Sequence, residues 1–257
     1  MKSERRVDDV LKEGSGVLST SQDKESSVLK FENPELDRRI GGLPIPSLTL
    51  IEGPNDSGKS ILTQQIAYGA LVNGFNVLFI TTEDTCRGLL SHMEGLNWKV
   101  TDYFIQGKFK ITPLNTAGMK WNSEISRYYL FALTNFIKRK SKVNLVIIDS
   151  LTHLVTHAEP NDVLDFFSAC RYLVDTQKIT SIITIHPYAL NQELMIRVRG
   201  FCDGHFLLEV RTFRDRTALT LNIAKLRGAR QNVSELISFE VSPAFGIKIL
   251  PFTTARG

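Results

Sequence analysis

Residues 53 to 60, Gly53-Pro54-Asn55-Asp56-Ser57-Gly58-Lys59-Ser60, fit G-x-x-x-x-G-K-[ST] at every fixed position. That is the spacing of a phosphate-binding loop. Gly53 and Gly58 let the backbone turn tightly and aim successive N–H groups at one point. Lys59 brings a full charge to the outer phosphates of a nucleotide, and the Ser60 hydroxyl suits a magnesium ion that the phosphates share. A helix beginning near Lys59 and running on through Ile61 adds the positive end of its dipole. The run Leu48 to Ile51, apolar and β-rich, supplies the preceding strand that the motif requires.

Further residues fall where such a loop needs partners. Asp149 follows the apolar run Leu145 to Ile148, about 90 residues after Lys59. A carboxylate at the end of such a strand suits the magnesium side of the site, holding the metal through water. Glu83 and Asp84 follow the apolar run Val77 to Thr81. Strand C-termini of a parallel sheet converge on the ligand side, so Glu83 can face a γ-phosphate and orient or deprotonate water. The plainer reading of Glu83 is an exposed acid at a strand end, and Asp84 is the weaker candidate. His186 follows Ile182 to Ile185 and suits either phosphate sensing or a packed, capping role. The five histidines show no metal-ligand spacing, and no zinc is expected. Lys225 and Arg227, in KLRGARQN, stand at a strand end beside a glycine turn. In isolation they read as an exposed basic turn.

The elements that must position these residues alternate. Ile61, Leu62, Ile66 and Ala70 give a helix over about 60 to 73, stopped by Gly74. Strands are expected at 77 to 81, 143 to 148 and 179 to 185, and helices at 86 to 96, 123 to 140 and 162 to 178. Residues 102 to 113 read as a strand pair around Gly107, and 189 to 200 as a loop. In the 123 to 140 helix, Ile125, Tyr129, Leu133, Phe136 and Ile137 form one stripe of core packing. Asn33 caps a short helix that has Pro34 in its first turn and Gly41-Gly42 at its end. After Asp203 the pattern changes to strands at 205 to 212, 217 to 226, 236 to 241 and 247 to 250 joined by short turns. The expected class is α/β, a mostly parallel sheet flanked by helices with an antiparallel C-terminal extension. Residues 1 to 27, rich in Ser, Lys, Glu and Asp, read as a flexible tail, and residues 28 to 257 as one domain.

Composition bounds the function classes. The 257 residues are 42% hydrophobic and 23% charged, enough for one sizeable core. The net charge of +4 is spread along the chain, so it does not by itself imply nucleic acid. Cys86, Cys170 and Cys202 form no CxxC pair and read as reduced thiols of a cytosolic protein. No apolar run is long enough to span a bilayer and no apolar signal region begins the chain, so a cytoplasmic protein held at membranes only by partners is expected.

In order, LDRRIGGLPIPSLTLIEGP, the phosphate loop, VLFITTED, VIIDS and KLRG resemble the RecA/KaiC-like P-loop ATPases over about residues 28 to 250. Within that family the loop form GPNDSGKS and the later HPYA resemble the FlaH-type accessory proteins of the archaeal flagellum (archaellum) motor. The resemblance implies a RecA-like core that binds ATP and Mg2+, and assembly into rings, expected to be hexamers, with nucleotide at the subunit interfaces. It implies three partners: a motor ATPase, a platform membrane protein and a ring scaffold protein. By position, Lys59, Ser60 and Asp149 bind Mg-ATP, Glu83 takes the catalytic-glutamate place, and Lys225 and Arg227 match a finger that reaches a neighbour's nucleotide. KaiC-type sites carry two adjacent glutamates where this chain has Glu83-Asp84, which argues for slow or absent hydrolysis. Two alternatives remain, a DNA-dependent ATPase and a self-phosphorylating one. The first needs basic central loops. Residues 156 to 161 carry no Lys or Arg, whereas 189 to 200 contain Arg197 and Arg199.

Overall fold

The computed structural model describes residues 28–116, 118–140, 142–213, 216–229, 236–243 and 245–251. The expected tail over residues 1 to 27 lies outside the described residues, as do residues 230–235 beyond the basic turn. Strand β1 (Val28–Leu29) pairs antiparallel with β2 (Leu43–Pro44) across helix α1 (Pro34–Ile40). Asn33 accepts from the Leu36 N–H, and Gly41 closes α1 in the left-handed region at φ 83°. These are the cap residues that such ends favour.

There follow β3 (Leu48–Glu52), α2 (Lys59–Val72), β4 (Val77–Thr81), α3 (Cys86–Gly95), α4 (Thr101–Ile105), β5 (Phe109–Pro113), α5 (Ser123–Lys138) and β6 (Leu145–Asp149). Next come α6 (Thr152–Val155), α7 (Pro160–Gln177), β7 (Thr180–Ile185), α8 (Gln192–Phe201), β8 (Gly204–Phe213), β9 (Arg216–Leu226), β10 (Leu236–Ser242) and β11 (Gly246–Ile249). The main sheet runs β11-β10-β9-β8-β3-β7-β6-β4-β5. From β8 to β5 neighbouring strands are parallel, and from β8 to β11 antiparallel. β8 is therefore the seam between the two textures, and the antiparallel extension begins at β9.

Both faces of the parallel part are covered, which is why its strands read as continuous apolar runs. Val77 and Phe79 of β4 enter a core with α1, α2 and α3. Leu78 and Ile80 enter a second core with α5, α6, α7 and α8. Successive strand residues point to opposite faces, so one strand builds two cores. Helix α2 is buried on nearly every side, because it lies between the sheet and the chain before α1. Gln65 Nε2 donates to Phe31 O at 2.7 Å.

Three expectations are corrected. Residues 101–105 are helical, not strand, because the Glu94 carboxylate accepts from the Val100 and Thr101 N–H groups at 3.1 Å and caps the turn. Residues 192–201 form α8, not a loop. Asn191 accepts from the Leu194 N–H at 2.8 Å, and Leu194, Met195 and Val198 are buried at helical spacing. The buried stripe of α5 is Ser126, Leu130, Leu133 and Ile137, so it is rotated from the expected one, while Tyr129 and Phe136 pack half-buried against the same core as expected.

Candidate nucleotide-binding site

The phosphate loop leaves the C-terminal end of β3, the middle strand of the nine-stranded sheet and one with parallel neighbours on both sides, where ligands of open α/β sheets collect. Gly58 caps α2 in the left-handed region at φ 90°. A Cβ on Gly53 would stand 2.4 Å from Ser57 Oγ and 2.9 Å from Leu208 O. Only glycine fits that approach. Ser57 Oγ donates to Pro54 O at 2.8 Å and closes the loop on itself.

Lys59 is 6% exposed. Its Nζ donates to Pro54 O at 2.8 Å and to His186 Nε2 at 3.1 Å. Burial pulls its pKa below the usual lysine value, against the charges of Glu83, Asp149 and Asp56. His186 Nε2 is therefore the acceptor, its proton rests on Nδ1, and Nδ1 faces Thr152 Oγ1 at 2.9 Å. Burial first, then Lys59, holds the imidazole pKa below its ordinary value.

Asp149 is the last residue of β6 and 4% exposed. Thr184 Oγ1 donates to it at 2.6 Å and Thr63 Oγ1 at 3.3 Å. Burial pushes this carboxyl above the usual range, assisted by the Glu83 charge, while hydrogen bonds from Thr184, Ser60 and Thr63 oppose the shift. A hydroxyl and a carboxylate together form an oxygen donor set suited to a hard cation. The glycine cradle, the buried ammonium and this oxygen pair all fit a magnesium-bound polyphosphate.

Strand β4 ends at Thr81, so Glu83 and Asp84 lie in the turn beyond it. Glu83 is exposed, with Oε1 accepting from Ser150 Oγ at 3.0 Å. Asp84 turns away, accepting from the Thr85 N–H and lying 2.8 Å from His92 Nδ1. The cleft of about 640 Å³ over the loop is lined by residues 55 to 61, Glu83, His153, His186, Tyr188, Leu219 and Val241. Sequence reasoning missed Thr63 and Thr184, although each has a findable signal: Thr63 is one turn beyond Lys59, and Thr184 alternates with His186. It also missed Leu219 and Val241, which come from strands remote in the chain.

Lys225 and Arg227 do not enter this cleft. Across the sheet Lys225 is level with His205 and Leu50, and Leu226 with Gly204 and Thr49. Arg227 thus sits at the edge of the sheet opposite the phosphate loop of its own chain, and it is exposed. Lys225 Nζ donates to Arg199 O at 3.1 Å and to Cys202 O, capping the C-terminal end of α8. Burial first, then the nearby Arg227, depresses its pKa.

Arg199, read as half of a basic loop, is committed elsewhere. Its Nε and Nη2 grip Glu52 at 2.8 and 2.7 Å, and His205 Nε2 lies 2.7 Å from the same carboxylate. Glu52 is 3% exposed. Burial alone would raise its pKa, but the bonds and charges of His205 and Arg199 outweigh burial and bring it from 4.5 to about 2. A carboxyl depressed on folding stabilises the fold fully above its unfolded pKa, and that stability is lost as pH falls through the folded one. Roughly 3 kcal/mol is therefore at stake. The drop in thermal midpoint between pH 4.5 and about 2 should be larger for the parent than for Glu52→Gln. Parallel pH profiles would remove this role from Glu52.

Comparison with known proteins agrees with this geometry. The family model for the KaiC ATPases matches residues 30–254. The chain is 35% identical over 229 residues to the archaeal flagellar ATP-binding protein FlaH of Sulfolobus acidocaldarius, covering 89% of this chain and 99% of that one. It is 26% identical over 230 residues to FlaH of Methanocaldococcus jannaschii, covering 88% and 96%. The crystal structure of the flagellar accessory protein FlaH from M. jannaschii superposes with a TM-score of 0.77 at 25% identity, over 89% of this chain and 100% of that one.

Proposed function

Because the chain belongs to the KaiC family of ATPases and, within it, to the archaeal flagellar FlaH proteins, we propose that it is a Mg-ATP-binding, ring-forming regulatory subunit of an archaellum motor, with slow or absent hydrolysis. The observation that carries the reading is the buried Lys59 ammonium set between a glycine cradle and the buried Asp149 carboxylate. The proposed partners are the motor ATPase, the platform membrane protein and the ring scaffold protein, with hexamers as the proposed ring. No described helix is long and apolar enough to cross a membrane.

In this reading the loop N–H groups and Lys59 bind phosphate oxygens. Lys59 now donates to two neutral acceptors, Pro54 O and His186 Nε2. An anionic oxygen competes well against both, since charge-assisted bonds are about twice as strong as neutral ones. Ser60 would hold magnesium directly, and Asp149 would hold it through water. Magnesium, when bound, neutralises charge on the phosphate oxygens. His186, released by Lys59, keeps its Nδ1 on Thr152 and turns an acceptor edge that registers whether phosphate has taken the lysine.

Glu83 is the one acid of the pair that faces the cleft, and Ser150 orients it. It is exposed, so in the separate subunit it stays hydrated. Glu83→Gln keeps the shape and discards the charge. The variant should bind Mg-ATP within about threefold of the parent, a difference under 1 kcal/mol, and show no turnover above background. Turnover equal to the parent's would reduce Glu83 to an exposed acid, and a parent without saturable Mg-ATP binding would sink the whole reading. The DNA-dependent alternative loses support because Arg199 is held by Glu52, which leaves Arg197 as the exposed arginine of that segment.

A further inference from the structure

Helix α8 links two places that the proposed ring uses. Its N-terminal end is fed from the cleft by His186, the 3-10 turn Pro187–Ala189 and the Asn191 cap. Tyr188 of that turn stacks on His186 with ring centroids 5.3 Å apart. Its C-terminal carbonyls, Arg199 O and Cys202 O, hold the Lys225 ammonium two residues before Arg227. Between these ends lie 10 helical residues, a rod of about 15 Å. Besides the Lys225 bonds, a side chain of the rod ties it to the sheet, through the bidentate bond from Arg199 to Glu52. Glu52 is the residue immediately before Gly53, where the phosphate loop begins. His205, level with Lys225 in the neighbouring strand, closes the cluster on the same carboxylate.

We infer that Glu52 and Arg199 are positioning residues for the finger. By fixing α8 to the root of the phosphate loop they set where the α8 carbonyls hold Lys225, and hence where Arg227 is presented to the next subunit. Neither side chain lines the cleft, so neither touches nucleotide in its own chain. The inference rests on the proposed role of Arg227 across the interface. Its physical basis is the geometry of the tie. A planar guanidinium gripping both carboxylate oxygens fixes direction as well as distance, which a lysine at the same place would not do. An apolar pair of similar size could hold α8 as firmly, but it would not orient the Arg199 carbonyl through its own side chain. The backbone that carries this fork is the backbone that receives Lys225.

The test compares the parent, Arg227→Ala, Glu52→Gln and Arg199→Lys in full-length protein. Each is assayed for binding of a fluorescent ATP analogue with Mg2+, for ATP-dependent mass by light scattering over a protein dilution series, and for thermal unfolding. Below their melting temperatures, and at protein concentrations too low for assembly, Glu52→Gln and Arg199→Lys should bind the analogue as the parent does. Arg227→Ala, Glu52→Gln and Arg199→Lys should each need about tenfold more protein to assemble, the equivalent of one decade in association constant. Mixing Glu52→Gln with Lys59→Ala, which keeps a sound finger but lacks the phosphate-binding lysine, should restore ATP-dependent association, since Glu52→Gln subunits still offer bound nucleotide. A merely loosened fold would not be rescued by that partner. Should Glu52→Gln fail to fold, Arg199→Lys decides alone, because it keeps the charge and loses the fork. Parent-like assembly by Arg199→Lys, or by folded Glu52→Gln, overturns the inference while the finger reading stands. Parent-like assembly by Arg227→Ala overturns the finger reading itself.

Discussion

Lys59→Ala is expected to bind Mg-ATP about 100-fold more weakly than the parent, or not measurably, and to fold as well or better. Hydrogen bonds to charged groups contribute about 1.5–3 kcal/mol each, and every 1.4 kcal/mol is about tenfold in affinity. Lys59 Nζ is the group in the loop that brings a full positive charge to phosphate. The fold should survive because the lysine gives the separate subunit little. Burial lowers its pKa, so the folded state holds this cation at a penalty. Alanine removes the penalty and suits the first turn of α2, leaving Pro54 O to its bond from Ser57 Oγ. Equilibrium titration and thermal unfolding without nucleotide check both halves. Equal affinity in mutant and parent would show that the loop does not bind phosphate, and a collapsed fold would show that Lys59 is structural.

Arg227→Ala should raise the protein concentration needed for ATP-dependent assembly about tenfold and lower whatever turnover the ring has by about a thousandfold, the scale of an arginine supplied across an interface. The structure divides the two basic residues. Lys225 is engaged inside its own subunit by the α8 carbonyls, while Arg227 is exposed at the sheet edge facing away from its own loop. A guanidinium in that place cannot serve its own nucleotide and is free to serve a neighbour's. ATP would then be part of the interface, and its binding would favour the ring by mass action. Light scattering with and without Mg-ATP reads assembly, and phosphate release reads turnover. A mutant that assembles and turns over like the parent would make Arg227 a solvated cation at a turn.

Much of this was legible in the residues because the informative signals are local. The phosphate loop is one continuous stretch, and strands buried on both faces announce themselves as apolar runs such as VLFIT and LVIID. The C-terminal strands showed as alternating segments. What was missed depends on partners far away in sequence. The α8 segment read as a basic loop because Arg197 and Arg199 look solvated, and only the fold brings Arg199 to Glu52, 147 residues away. Residues 101–105 read as strand because the cap comes from Glu94, a side chain of the preceding helix. Lys225 and Arg227 read as an equivalent pair because alternation says which face a residue takes but not what occupies it. Asp84 looked like a second acid for the site, and its place beside His92 and the start of α3 appears only in three dimensions.

The proposed function puts Mg-ATP on the Gly53–Ser60 loop at an interface between copies of this chain. The most direct measurement is an electron-microscopy reconstruction of the full-length protein assembled with Mg2+ and a non-hydrolysable ATP analogue. A closed ring is expected, with analogue phosphates on Lys59, magnesium beside Ser60 and Asp149, and Arg227 of the adjacent copy directed at the outer phosphate. A monomer that carries the analogue without assembling, or a ring whose interfaces lie away from the loop, would contradict the account.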